Sequence, residues 1–224
     1  MFEGIPIYDD PLRGDWILYV HVISLILFLP LITGGTGVSR LIKGLAIRKP
    51  YSGSTASPTP VRIWLIPPLT GSVLQIGLLL MHIEMLAEDS NTPDGALFSL
   101  WYSIAGTLAL LVTGRLILCE ILGRATASGK LFRDYLLNIV VLYQIAGVAI
   151  IPLNIAVTYM QGVDKTVFIV LGGAIAILLY IFRLIKLAAT FNHRNISIIY
   201  YILYICALEL LPITLLLRIE WPFR

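Results

Sequence analysis

The stretch Tyr201–Arg218 reads YILYICALELLPITLLLR and decides the fold class. It is almost wholly apolar, and its length approaches the roughly 20 residues that a helix needs to cross the hydrocarbon of a bilayer. Outward from this stretch, further segments of the same kind fill the chain. We therefore predict an all-α, polytopic membrane protein, one integral-membrane domain over residues 1–224. Its six predicted transmembrane helices lie at about 16–34, 62–86, 97–122, 135–159, 166–187 and 196–217.

The composition supports the membrane class. Of the 224 residues, 58% are hydrophobic and only 13% are charged, which is less charge than a soluble domain needs on its surface. The sequence has no basic stripe interleaved with aromatic residues, so we predict no nucleic-acid partner. Cys119 and Cys206 both lie in apolar runs, and a disulfide framework is not expected.

The distribution of lysine and arginine predicts the orientation, because these residues mark cytoplasmic loops. Three alternate connections hold four, three and two basic residues: Arg40, Lys43, Arg48 and Lys49; Arg124, Lys130 and Arg133; Lys186 and Arg194. The opposite side is rich in aspartate. Both termini are therefore predicted on the periplasmic side. Within the cytoplasmic loop 35–61, GVSRLIKGLAIRK has the spacing of a short amphipathic helix that lies on the inner leaflet.

One carboxylate lies deep inside a predicted span. Glu209 is roughly 20 Å from the cytoplasmic end of the sixth helix, and a glutamate at that depth must be protonated, hydrogen-bonded or exposed to water in a cavity. Pro212 frees a backbone carbonyl one turn earlier. His21, His82 and Gln75 lie at comparable depth in the first two spans. We predict that these residues surround one polar site open to the outer face; interhelical hydrogen bonding is the alternative for each of them.

Three charged residues lie nearer the inner face. Arg115 and Arg183 are close enough to the cytoplasmic interface to extend their side chains toward it, and Glu120 is available to pair with either one. An inner-leaflet charge cluster that fixes the topology is the first interpretation of this set.

Small and amide residues in the fourth and fifth spans predict close helix packing. Gly147 and the Gly172–Gly173 pair permit close approach of neighbouring helices. The amides of Asn138, Gln144 and Asn154 are suited to hydrogen bonds across helices.

The chemical motifs favour a role without catalysis. Neither HExxH nor GxSxG occurs, so we predict no catalytic residues and no metal site. No cofactor is predicted. Haem b held between His21 and His82 remains as an alternative, since two histidines at matched depth on neighbouring antiparallel helices have suitable geometry.

The closing residues LYICALELLP, 203–212, resemble a family of small polytopic inner-membrane proteins from Bacteroidota, known as a domain of unknown function. The pattern is an aromatic residue, a cysteine, a glutamate and a proline. The resemblance extends from about Asp15 to Arg218. Further similarities are the Asp15–Trp16 start of the first span, Asn138, Gly147 and Pro152 in the fourth, and Arg183 in the fifth. It implies residence in the inner membrane of a Gram-negative cell and supplies no activity, cofactor or partner.

These observations predict a non-catalytic subunit or accessory protein of a cell-envelope assembly or transport process. Its expected partners are membrane lipids and other inner-membrane or envelope proteins. One alternative is a protein that binds or transports a lipid or small solute in an outer-leaflet cavity organised by Glu209. The other is a membrane redox protein that binds haem or quinone.

Overall fold

The computed structural model describes residues 15–33, 65–87, 94–125, 129–160 and 164–193. The regular elements of these residues are α-helices, which confirms the all-α prediction for the described part of the chain. They are α1 (Asp15–Thr33), α2 (Ile66–Ala87), α3 (Asp94–Ala125), α4 (Gly129–Tyr159) and α5 (Lys165–His193). The predicted sixth span at 196–217 and the amphipathic segment of loop 35–61 lie outside the described residues.

Four of the five described helices have the length and apolar character of membrane spans. Each of α2, α3, α4 and α5 contains a segment that is long and apolar enough to cross a bilayer. The first helix, α1, has 19 residues and is about 28 Å long, close to the roughly 30 Å of bilayer hydrocarbon. The described chain is therefore a multi-pass membrane protein, as predicted. The number of six spans and the side of the termini stay predictions.

Contacts between helices fix their relative directions. On α1, Ile17 packs with Met81 near the end of α2, whereas Phe28 lies against Gly71 near its start, so α1 and α2 are antiparallel. The helices α2 and α4 run parallel. Two hydrogen bonds, to the carbonyls of Leu65 and Gln75, join residues 79 positions apart at two levels, and a constant offset requires the same direction.

The central helix is α2, which packs against each of the other four described helices. Small residues permit this crowding at two contacts in particular. A methyl group on Gly77 would lie 3.3 Å from the Cα of Ala105 on α3. One on Gly147 of α4 would lie 2.6 Å from the Cα of Ser72, so this glycine allows the backbones of α2 and α4 to touch. The prediction of close packing at Gly147 is confirmed.

The two adjacent glycines of α5 differ in how closely neighbouring helices approach them. A methyl group on Gly172 would meet Leu79 of α2 at 2.8 Å, which confirms a packing role for this residue. Gly173 has no neighbouring atom within 4 Å of such a methyl group among the described residues. Close approach on α5 therefore depends on one glycine of the pair.

The outer surfaces of α3 and α5 are apolar and largely exposed. Leu110 on α3 and Val170 and Leu178 on α5 are among the most exposed large hydrophobic residues. In water such surfaces would drive association, but the hydrocarbon of a bilayer solvates them without cost. The described parts of α3 and α5 thus present many hydrocarbon side chains outward.

Candidate functional site: a buried polar cluster

Buried polar side chains follow the line where α1, α2 and α4 meet. We call this line the polar seam. Its members are buried almost completely, and three helices contribute them: His21 and Ser24 from α1; Ser72, Gln75 and His82 from α2; Gln144, Asn154 and Thr158 from α4. From Leu65 to His82 the seam follows α2 for about 25 Å, most of the thickness of a bilayer.

The amides of α4 bind α2 at two levels of the polar seam. At one end, Gln144 Nε2 donates to the backbone carbonyl of Leu65 at 3.2 Å. Ten residues further along α4, Asn154 Nδ2 donates to the backbone carbonyl of Gln75 at 2.9 Å. The prediction that these amides bond across helices is confirmed for Gln144 and Asn154; the side chain of Asn138 is not described.

A chain of hydrogen bonds links three helices at the second level. Besides the backbone carbonyl, Asn154 Nδ2 contacts Gln75 Oε1 at 2.9 Å, and Gln75 Nε2 lies 3.2 Å from His21 Nδ1. We call His21, Gln75, His82 and Asn154 the polar cluster. His82 lies two turns from Gln75 on the same face of α2 and is close enough to Asn154 to interact with its side chain. The structure thus places His21, Gln75 and His82 in one region of the seam.

The backbone carbonyl of Gln75 determines which atom donates and which accepts in each of these hydrogen bonds. A carbonyl only accepts, so the Asn154 atom that faces it must be the amide nitrogen. The same nitrogen then requires the Gln75 oxygen to face it, and this turns the Gln75 nitrogen toward His21. His21 Nδ1 must therefore accept, and the neutral ring carries its proton on Nε2.

This tautomer bears on the haem alternative. A histidine binds iron through the lone pair of a ring nitrogen, yet in His21 the Nδ1 lone pair faces Gln75 and Nε2 holds the proton. If the proton of His21 were on Nδ1 instead, Gln75 would have to turn its amide oxygen toward His21. Gln75 Nε2 would then face Asn154 Nδ2, and two donors would meet. The arrangement favours His21 as a hydrogen-bond donor over His21 as an iron ligand.

Four buried atoms of the polar cluster have no hydrogen-bond partner among the described residues. They are His21 Nε2, both ring nitrogens of His82 and Asn154 Oδ1. His82 is 1% exposed and Asn154 is 0% exposed, so bulk solvent does not reach them. Burial of one unpaired polar group costs about 1–3 kcal/mol. Such groups in a native fold call for a specific explanation, of which a bound molecule is one.

Two of the predicted site residues cannot be placed beside the polar cluster. Glu209 and Pro212 lie outside the described residues. Asn154, by contrast, is a cluster member that sequence reasoning assigned to packing. Its signal was the amide type at mid-span depth, but only the parallel pairing of α2 and α4 brings it to Gln75.

The inner charged residues have surroundings of a different kind. Arg183 is buried, and its guanidinium lies 5.8 Å from the centre of the Tyr143 ring and 6.0 Å from that of Tyr180. Glu120 accepts a hydrogen bond from Arg124 at 3.1 Å, one turn further along α3, a partner that the sequence analysis did not consider. Arg115 on the same helix is half-buried. Aromatic contacts are thus a major part of the environment of Arg183.

The family model described as "Domain of unknown function (DUF4271)" matches residues 68–219. The chain belongs to this family. The matched range begins in α2, so it includes Gln75, His82 and Asn154 but not His21, and it starts later than the resemblance noted from Asp15. No curated protein and no solved structure matches the chain. Membership in DUF4271 therefore brings no assigned activity, and function has to be argued from the polar cluster.

Proposed function

We propose that this DUF4271 protein is a non-catalytic subunit or accessory of an assembly or transport process in the bacterial inner membrane. The observation that carries the proposal is the orientation of the polar cluster. Its amides are held by a backbone carbonyl and, in turn, orient a histidine. Amides neither titrate nor act as nucleophiles, and fixed hydrogen-bonding groups of this kind are suited to binding and positioning.

The expected place of action is the outer half of the membrane. With both termini in the periplasm, His21 and His82 lie near the outer ends of α1 and α2. Residue counting puts Glu209 in the outer half of the sixth predicted span. We propose that Glu209, with the carbonyl freed by Pro212, borders the same cavity as His21, Gln75 and His82.

A second candidate function is binding or transport of a lipid or small solute by this chain alone. The nitrogens of His82 and the Oδ1 atom of Asn154 favour it, because they have no hydrogen-bond partner among the described residues and a bound molecule would satisfy them. The two candidates differ in what accompanies the protein through purification: a second protein in the first case, and only a small molecule in the second.

The deciding experiment is purification of a tagged chain from its source membrane in mild detergent. We expect a membrane or envelope protein to co-purify in stoichiometric amount. Recovery of the chain with bound lipid or solute and without a partner protein would reject the subunit proposal in favour of the second candidate. Recovery with neither would contradict both.

A companion test concerns Glu209. In a deletion strain, Glu209→Gln should fold with the thermal stability of the wild type and fail to complement, because proton exchange or charge is lost while shape and hydrogen bonding remain. Glu88→Gln, in a connection predicted on the outer surface, is the matched control and should complement. Full complementation by Glu209→Gln would reject a functional role for the carboxyl.

A further inference from the structure

We propose that α1 is a replaceable cover over the polar surface of α2 and α4, and that a transmembrane helix of the partner protein takes its place. The inference rests on the subunit role proposed above and names the surface that the partner uses. This polar surface consists of Gln75 and His82 on α2 and Asn154 on α4, all buried almost completely where the two helices meet α1. The partner's helix should carry hydrogen-bonding side chains on the face that meets them.

The hydrogen bonds of the polar seam attach α2 firmly to α4 and leave α1 less firmly held. Three contacts of 2.9 to 3.2 Å join two amide side chains of α4 to α2. Among the described residues, α1 forms one hydrogen bond with another helix, between His21 Nδ1 and Gln75 Nε2 at 3.2 Å. Other contacts of α1 are apolar or aromatic, such as that of Trp16 with Trp101 on α3.

Apolar contacts hold a helix less strongly in a bilayer than in water. Lipid chains solvate exposed side chains of α1 such as Val22 and Ile26, and they would solvate its packed apolar face in the same way. The polar surface of α2 and α4 could not face hydrocarbon alone, because each unpaired polar group there is costly. One transmembrane helix must therefore replace another, and hydrogen bonding decides which of the two is preferred.

The fit of α1 to the polar surface leaves hydrogen-bonding groups unsatisfied. On α1 itself, Ser24 Oγ and His21 Nε2 are buried without a partner among the described residues. On the surface beneath, the same holds for Asn154 Oδ1 and the ring nitrogens of His82. Each unpaired buried group costs free energy, and a helix with better-matched polar side chains would recover part of it. Such a partner helix has an advantage over α1.

The chain connection and the family match both set α1 apart from the other described helices. Residues 34–65 lie between α1 and α2, whereas the shorter stretches 88–93, 126–128 and 160–164 join the helices that follow. The DUF4271 match begins at residue 68, so it includes the polar residues of α2 and α4 but not the helix that covers them. A long connection permits α1 to move aside while the matched helices keep their packing.

The test uses a disulfide that holds α1 in place, in the full-length chain with Cys119 and Cys206 replaced. A Cβ atom on Gly71 of α2 would lie 3.3 Å from the Cβ atom of Leu27 on α1. Disulfide-bonded cysteines have Cβ atoms roughly 3.5–4.5 Å apart, so a small adjustment permits the bond. Leu27→Cys combined with Gly71→Cys therefore joins α1 to α2.

Gly77→Cys combined with Ala105→Cys is the matched control. A Cβ atom on Gly77 would lie 3.2 Å from the Cβ atom of Ala105, nearly the same separation. This second disulfide joins α2 to α3, two helices that lie in the matched domain. It does not restrain α1.

Both double variants are expressed in a deletion strain of the source organism. Its membranes are oxidised, free thiols are blocked, and the tagged chain is purified in mild detergent. Size-exclusion chromatography then separates the chain with its partner from the chain alone. The disulfide between positions 27 and 71 should be depleted about tenfold or more in the partner-bound fraction, because α1 has left α2 there. The control disulfide should be equally abundant in both fractions.

Ser24→Ala tests the same exchange without a new covalent bond. It removes a buried hydroxyl that lacks a described partner, so α1 should keep its place better and the partner-bound fraction should fall about threefold or more. Thr33→Val is the control on the same helix: its exposed hydroxyl donates to the carbonyl of Leu29 within α1, and its loss should leave that fraction unchanged. A partner-bound fraction that Ser24→Ala leaves equal or raises would contradict the competition between helices.

The outcomes separate this inference from the proposed function. Equal abundance of the 27–71 disulfide in both fractions would overturn the replacement of α1 and leave the subunit proposal standing. Absence of that disulfide from the chain alone would contradict the packing from which the inference starts. A partner without a transmembrane helix, or one that proves to be a second copy of this chain, would overturn the proposed occupant. Recovery of the wild-type chain without any partner would overturn both proposals.

Discussion

Asn154 governs the direction of the hydrogen bonds in the polar cluster, because its nitrogen is committed to the backbone carbonyl of Gln75. Asn154→Leu should lower the free energy of unfolding by about 1–3 kcal/mol, since it leaves buried Gln75 oxygens without their donor. Thr158→Val is the control one turn further on: its hydroxyl donates to the carbonyl of Asn154 within α4, so no described contact between helices is lost. Unfolding in detergent with increasing dodecyl sulfate measures both. Equal stability of Asn154→Leu and wild type would contradict the hydrogen-bond chain.

Arg183 offers a second test at the scale of the residue. Its guanidinium faces the rings of Tyr143 and Tyr180, and lysine keeps the charge but not the flat surface that stacks on an aromatic ring. We expect Arg183→Lys to destabilise the protein by about 0.5–2 kcal/mol. Arg124→Lys changes an exposed pair with Glu120 and should be nearly neutral. Thermal melts in detergent compare the two; matching melting temperatures would indicate that the Arg183 charge alone matters.

Counting residues from the ends of predicted spans gave useful depths for single side chains but not their surroundings. His21, Gln75 and His82 were placed at comparable depth, and the structure puts them in one seam. Arg183 was placed near the cytoplasmic end of its span, which did not indicate that it is buried against two tyrosines. Depth depends only on position along the chain. The neighbours of a side chain depend on which helix packs against it, and counting residues gives no information about that packing.

At the scale of the element, the contact between α2 and α4 depends on Gly147. A methyl group there would lie 2.6 Å from Ser72 Cα, a backbone atom that cannot turn aside. Gly147→Ala should therefore cost about 1–3 kcal/mol by overpacking, despite the better helix propensity of alanine. Gly106→Ala, in α3, meets no described atom within 4 Å and should be neutral or stabilising. Chemical unfolding of both variants tests this; a neutral Gly147→Ala would mean that the helices separate without cost.

Asp164 caps the N-terminus of α5. Asp164 Oδ1 accepts a hydrogen bond from the backbone N–H of Thr166 at 2.9 Å, as the residue before a helix commonly does. Hydrogen bonds from the Thr166 side chain and then from its backbone lower the pKa of Asp164 below its usual value of 3.8. The carboxylate form is thus favoured in the folded protein.

A lowered pKa fixes the sign of the pH dependence. The contribution of Asp164 should be complete above the ordinary carboxyl range and be lost as the pH falls through the lowered pKa. Asp164→Asn keeps a capping oxygen that does not titrate, so the stability difference between it and wild type should shrink toward acid pH. Thermal melts between neutral pH and pH 3 measure this difference; a gap that widens on acidification would contradict the capping role.

Helix existence was more predictable than helix pairing. Long apolar runs gave α1 to α5 with ends within a few residues, except at the start of α4 and the end of α5, where polar residues continue the helix beyond the apolar run. Pairing was not predictable from hydropathy, because lipid-facing and protein-facing surfaces are equally apolar in a membrane protein. Asn154 illustrates this limit: its amide suggested a contact across helices, but not that Gln75 would be the partner.

At the scale of the whole molecule, the antiparallel α1 and α2 and the parallel α2 and α4 agree with a chain that crosses the membrane repeatedly. The distribution of basic residues predicts which side of the membrane each connection occupies. The test uses a variant with Cys119 and Cys206 replaced and single cysteines at Ser54, Thr92 or Ser128. In intact spheroplasts, a membrane-impermeant thiol reagent should label the cysteine at Thr92 and spare those at Ser54 and Ser128. All three should react after permeabilisation, which is the control for accessibility.

The predicted labelling at Thr92 and protection at Ser54 and Ser128 follow from the cost of moving positive charge across the membrane during insertion. The segment 35–61 holds four lysines and arginines, and the connection around Ser128 holds three more, whereas the connection around Thr92 has Glu88, Asp89 and Asp94. Labelling at Ser54 in intact spheroplasts would place the basic segment in the periplasm and reverse the orientation. The polar cluster would then lie in the cytoplasmic half, and Arg183 in the outer half. A protected Thr92 together with a labelled Ser128 would give the same reversal independently.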